Sequence, residues 1–130
     1  MKNVIVCIVL VFFTLGCESS TGPAGIKLGE QFQLQYRQSV HLQQTGLTIT
    51  FRSVHDDSRC PQGVMCFWQG NAGVIVELSG ARVPLNTAIE PREAVYSNYT
   101  IQLIAVAPLP KAGTNLDPKD YIITLIVTKN

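Results

Sequence analysis

The chain is 130 residues long, with ten Lys and Arg against nine Asp and Glu and a formal net charge of +1. That balance, with no basic tract or stripe, gives nucleic acid no electrostatic footprint to bind. Beyond the N-terminal segment no apolar run approaches the roughly 20 residues of a membrane-spanning helix, and the remaining length suits one domain with a real core.

The N-terminal segment reads as a leader. Lys2 supplies a basic start, Val4 to Leu15 is uncharged and almost wholly apolar, and small Gly16 precedes Cys17. An apolar core this short belongs to a signal peptide rather than to a membrane span. The ending Thr14-Leu15-Gly16-Cys17 resembles the lipobox of bacterial lipoproteins, with Thr14 where Leu is usual. The resemblance implies cleavage before Cys17 and acylation of its thiol. The protein would then sit in the cell envelope, lipid-anchored to a bacterial membrane, the outer membrane or cell surface being favoured over the inner membrane. Residues 1–16 are the expected signal peptide, 17–29 a lipidated tether and 30–130 the folded domain. Ser19, Ser20, Thr21, Gly22, Pro23 and Gly25 dominate the tether, and such a composition cannot bury enough apolar surface to order itself.

From Glu30 onward the hydrophobic period is two, not 3.6. Phe32, Leu34 and Tyr36 alternate with Gln31, Gln33 and Gln35, and Leu47, Ile49 and Phe51 alternate with Thr48, Thr50 and Arg52. Val74, Val76 and Leu78 share a face, and Val83, Leu85 and Thr87 follow the Ser79-Gly80 turn. Tyr99, Ile101, Leu103 and Ala105 are expected on one face, opposite Thr100, Gln102 and Ile104. Tyr121, Ile123, Leu125 and Val127 oppose Ile122, Thr124 and Ile126, so this last strand is apolar on both faces and is expected at the centre of a sheet. Residues 88–94 form one helical turn at most, because Pro91 interrupts them. β-Branched and aromatic residues fill the runs, and Gly, Pro, Asn and Asp separate them. The expected fold is therefore all-β, a single antiparallel sandwich of immunoglobulin-like type or a partly open barrel, with about seven strands.

Cys7 lies in the leader and Cys17 is the lipid site, which leaves Cys60 and Cys66. In an oxidising compartment two cysteines admit one intramolecular pairing. A Cys60–Cys66 bridge closes a short loop, worth roughly 2 kcal/mol of unfolded-chain entropy, so it shapes a loop more than it holds up the fold. The surrounding segment, His55 to Ala72, follows one strand and precedes another, and it carries the only Trp of the chain.

Asp57-Ser58-Arg59-Cys60-Pro61, a short gap, Cys66, Trp68 and then Gly70-Asn71-Ala72 resemble the signature of a family of small bacterial secreted proteins and lipoproteins, with Gln69 where a small residue is usual. The resemblance extends more weakly over Leu103 to Pro110 and the Tyr121 strand, and it implies a family without implying an activity. Read from the residues alone, Pro61 fixes φ after the first cysteine and Gly63 permits a turn. Trp68 has the bulk to pack on the bridge or cap the core, and Asp57 and Arg59 are placed to pair or to bond loop amides.

Sharper chemistry finds little support. A reduced Cys60, Cys66, Met65 and His55 set would suit a soft cation such as copper, yet no metal-ligand spacing is present and a disulfide consumes both thiols, so no metal or cofactor is expected. Ser58, His55 and Asp57 are a triad by composition only, because residues this close in sequence do not line up as nucleophile, base and orienter. No catalytic residue is assigned and no enzyme is expected. What remains is a non-catalytic envelope module that binds a protein or glycan through a loop containing Asp57, Arg59, Phe67 and Trp68. The alternatives are a purely structural envelope lipoprotein, a protease-inhibitor-like module and a copper-binding module. A recognition loop requires exposed Trp68, Arg59 or Phe67, whereas a structural corner requires Trp68 buried and Asp57 and Arg59 satisfied internally.

Overall fold

The computed structural model describes residues 25–130. The leader, Cys17 and most of the expected tether lie outside them. Among the described residues eight strands run in chain order: β1 (Gln31–Gln35), β2 (Ser39–His41), β3 (Thr48–His55), β4 (Gly73–Leu78), β5 (Ala81–Asn86), β6 (Glu93–Tyr96), β7 (Tyr99–Ala107) and β8 (Ile122–Lys129). A 3-10 turn, Pro118–Asp120, precedes β8. Among the described residues no helix is long and apolar enough to cross a membrane.

The strands form two four-stranded antiparallel sheets, ordered β1-β8-β7-β6 and β2-β3-β4-β5. They pack as a sandwich and do not close into a barrel. Consecutive strands stay together as meanders, unlike the immunoglobulin order, in which successive hairpins are divided between sheets. Their inward side chains, among them Phe51, Leu34, Ile49, Leu78, Leu85, Ile101, Leu103, Ile123 and Leu125, form one continuous core. Each fully buried aliphatic or Phe side chain contributes about 1.5–3 kcal/mol by leaving water. β8 lies between β1 and β7, where its two apolar faces require it to be.

Two bulges reset the strand faces. In β7 the register shifts between Leu103 and Ala105, so Ala105 turns outward and Val106 takes the buried place. The simple alternation expected through Ala105 therefore ends at Leu103. In β3 the shift falls between Phe51 and Ser53, with Arg52 as the extra residue. β2 and β6 had no strand signal of their own. β2 is three residues long with only Val40 buried, and β6 is an edge strand with exposed Val95 that begins at Glu93, within the 88–94 segment expected to form one turn at most. Folded contacts also begin before Glu30: Ile26 bridges Leu42, and Gly29 N–H donates to the Val127 carbonyl at 2.8 Å.

The sandwich has two distinct ends. The described chain enters at the end where β8 finishes, because Gln31 pairs with Ile126 and Gly29 with Val127. The long 56–72 loop lies at the other end, where β7 finishes. The nine residues of β7 separate the two ends by roughly 30 Å at about 3.4 Å per residue.

Candidate functional site

The loop that follows β3 begins at Asp56, whose left-handed backbone (φ 51°) turns the chain off the sheet, a conformation Asp tolerates better than most residues. The two arms of the loop then run side by side. Ser58 N–H donates to the Asn71 carbonyl at 2.7 Å, Ser58 Oγ accepts from Asn71 N–H at 3.1 Å, and Cys60 N–H donates to the Gln69 carbonyl at 3.0 Å. The arms approach so closely that only glycine fits at position 70. Gly70 has φ +72°, and a Cβ there would lie 1.9 Å from the Ser58 carbonyl oxygen. Asn71, itself buried, extends the clamp sideways. Its side-chain Nδ2 donates to Asn86 Oδ1 at 2.9 Å and its Oδ1 accepts from Ala88 N–H at 3.0 Å. The Cys60–Cys66 disulfide closes the loop above this ladder.

Beneath the ladder sits a buried ion pair. Arg59 is 8% exposed. Its Nε donates to Asp57 Oδ1 at 2.8 Å and its Nη2 to Asp57 Oδ2 at 2.7 Å. The same guanidinium donates through Nη1 to the Val106 carbonyl and through Nη2 to the Pro108 carbonyl at 2.8 Å. Asp57 Oδ2 also accepts from the Tyr121 hydroxyl at 2.9 Å. A planar five-donor cation is suited to this task, since it holds a carboxylate and two carbonyls on different segments at once. The loop is thereby pinned to the end of β7 and the start of β8. Burial pushes the Asp57 carboxyl up, but the Arg59 and Tyr121 hydrogen bonds and the guanidinium charge outweigh it and hold the group below its ordinary value. Burial and the neighbouring carboxylate push the Tyr121 phenol up to about 12. A further tie joins the loop to the 107–117 connection, with Gln62 N–H donating to the Pro110 carbonyl at 2.9 Å.

The tip has the opposite character. Met65 and Phe67 are fully exposed, Trp68 is 59% exposed, and Val64 is also at the surface. Met65, Cys66 and Phe67 line a depression of about 240 Å³. Leu109 of the neighbouring connection and Ile89 are further exposed apolar side chains. Large exposed apolar groups gathered on one loop are unusual enough on a soluble surface to require an explanation.

The four residues expected to form a binding loop therefore divide. Phe67 and Trp68 face solvent, and Trp68 neither caps the core nor is buried against it. Asp57 and Arg59 lie under the loop and are satisfied internally, so they position the loop rather than offer themselves to a partner. The reason for the pair is chemical: a guanidinium with a carboxylate and two backbone acceptors within reach is held inside. Ser58 is not poised as a nucleophile, because its hydroxyl is engaged with the Asn71 backbone. His55 lies 4.0 Å from Asp56 and both are solvent-exposed. Met65 was legible only as a metal-ligand type and emerges as part of the exposed tip. The Tyr121 hydroxyl, third partner of the pair, was hidden in a strand read purely for its apolar faces. The one signal available was a Tyr at the start of an otherwise aliphatic face.

No family model, curated protein or solved structure matches the chain.

Proposed function

We propose that this chain is a non-catalytic bacterial lipoprotein, anchored to the envelope through Cys17, that recognises an envelope protein or glycan through the apolar tip of the 61–68 loop. The observation that carries the reading is the contrast within one loop. Its base is held by a buried ion pair, a glycine-only crossing and a disulfide, while Met65, Phe67 and Trp68 stand in solvent. Rigid display of aromatic side chains reduces the ordering entropy a partner has to overcome, and Trp and Tyr side chains are the groups that dominate binding at interfaces. The position of the loop supports the reading as well. The described chain enters at the end of the sandwich opposite the loop, so an anchor at Cys17 would leave the tip clear of the anchored end.

The test is capture from native envelopes with the intact mature domain and with a Phe67→Ala, Trp68→Ala variant of unchanged fold. A protein or glycan retained by the first and lost by the second supports the tip as the recognition site. Equal capture by both contradicts it. Globomycin sensitivity of processing and metabolic labelling of Cys17 with a fatty acid test the anchor separately.

A further inference from the structure

The outer face of the β2–β5 sheet carries a second feature, a cleft of about 510 Å³ lined by Arg37, Arg52, Ser53, Ile75, Arg82 and Pro84. We propose that it is a binding site for a small organic oxyanion, a carboxylate or phosphate carried on an apolar body. The chain has five arginines. Arg59 is buried under the loop, and three of the other four converge here.

The cleft is built from strand register. Ser53, Ile75 and Pro84 are cross-strand partners on β3, β4 and β5 and form its floor. Glu77 and Arg82 form a neighbouring cross-strand pair. The β3 bulge turns both Arg52 and Ser53 outward, where strict alternation would have sent Ser53 into the core. Bulges re-aim side chains in this way and recur beside functional sites. Arg37 arrives from the β1–β2 crossover with a left-handed backbone (φ 62°), a conformation that favours glycine, held by a 2.9 Å hydrogen bond from its N–H to the Phe51 carbonyl. Two backbone irregularities thus deliver two of the three guanidinium groups.

The charge is not balanced. Glu77 Oε2 accepts from Arg52 Nε at 2.9 Å and Nη2 at 2.7 Å, and it stands 4.0 Å from Arg82 Nε. Among the described residues no carboxylate lies within salt-bridge distance of Arg37, whose guanidinium instead lies 5.2 Å from the Tyr36 ring centroid. Three guanidinium groups against one carboxylate leave a surplus of two positive charges in one concavity. Planar guanidinium forks match carboxylate and phosphate oxygens, which fixes the charge and geometry of the ligand. The volume falls within the range of small-molecule sites and exceeds what a bare oxyanion fills, and the Ile75 and Pro84 floor suits an apolar body.

The probes are phenyl phosphate, inorganic phosphate and benzyl alcohol, titrated into the 15N-labelled mature domain and followed by amide and arginine Nε shifts. Phenyl phosphate is expected to bind saturably at millimolar concentration or tighter, with shifts centred on Arg37, Arg52, Ser53, Ile75 and Arg82. Inorganic phosphate is expected to bind more weakly, and benzyl alcohol to give no saturable shift. Arg37→Gln with Arg82→Gln is expected to weaken phenyl phosphate at least tenfold. Glu77→Gln, which frees Arg52 and Arg82 from their competing carboxylate, is expected to tighten it severalfold, a gain that misfolding cannot produce. Absence of saturable binding, shifts centred elsewhere, equal binding of benzyl alcohol, or unchanged affinity in the two variants would overturn the proposal.

Discussion

Replacing Arg59 by Ala attacks the account where it is most specific. The substitution removes four side-chain hydrogen bonds and leaves the Asp57 carboxylate, whose side chain is 11% exposed, with only the Tyr121 hydroxyl and a long bond from the residue 59 amide. The Val106 and Pro108 carbonyls lose their donors at the same time. Breaking a buried pair by removing one partner costs about 3–5 kcal/mol, several times the worth of an exposed pair. With a urea m-value of about 1.5 kcal/mol per molar for a domain this size, the unfolding midpoint falls by about 2–3 M. Circular dichroism in urea measures it. Asp57→Leu combined with Arg59→Met removes both charges, so the double variant loses less than the sum of the single losses, with a coupling of about 2–3 kcal/mol. A loss below about 1 kcal/mol for Arg59→Ala would show the pair to behave as an exposed one and would refute the pinned-loop reasoning.

Other expectations follow from the same geometry. Gly70→Ala forces both a left-handed alanine and a Cβ into the Ser58 carbonyl, and it destabilises by about 2 kcal/mol or more, whereas Gly63→Ala, at φ +75° in open space, costs about 1 kcal/mol, so thermal unfolding of the two variants separates them clearly. Cys60→Ser with Cys66→Ser lowers stability by about 2 kcal/mol, with the two sheets retained by NMR, because the ladder and the ion pair hold the loop base without the bridge. Asp57 has its folded value below the unfolded one, so its stability is present above about pH 4 and is lost as pH falls through the folded value, and Asp57→Asn flattens that acid limb. Tyr121 is raised, so its stability is full below about pH 10 and is lost as pH rises toward about 12, a limb that Tyr121→Phe removes in pH-dependent urea titrations.

The period-two runs around Phe32, Ile49, Val76 and Ile123 made the all-β class and the central place of β8 legible, since each run carries enough β-branched or aromatic residues to declare a buried face. β2 and β6 escaped because strands this short bury too few side chains to show a period, and their pairing comes from neighbours rather than from their own sequence. The bulges escaped because an inserted residue is invisible until its partner strand is known, which is why Ala105 was placed on the wrong face. In the loop, the sequence marked an unusual segment but not the separate placements of its residues. Asp57 and Arg59 looked as available as Phe67 and Trp68, since the acceptors that draw Arg59 inward, Val106 and Pro108, lie nearly 50 residues away. The arginine cleft was illegible for the same reason: Arg52 and Arg82 meet through the register of β3, β4 and β5, and Arg37 joins them from the β1–β2 connection.

The central claim, an apolar tip displayed for recognition, is tested most directly by in-cell photo-crosslinking. A benzoyl-phenylalanine is placed at position 67 and, as a comparison, at position 95, where Val95 is exposed on the edge strand β6 far from the loop. A discrete adduct of defined mass is expected from position 67, absent from position 95 and lost when Trp68→Ala is added. No adduct from position 67, or the same adduct from both positions, would contradict it.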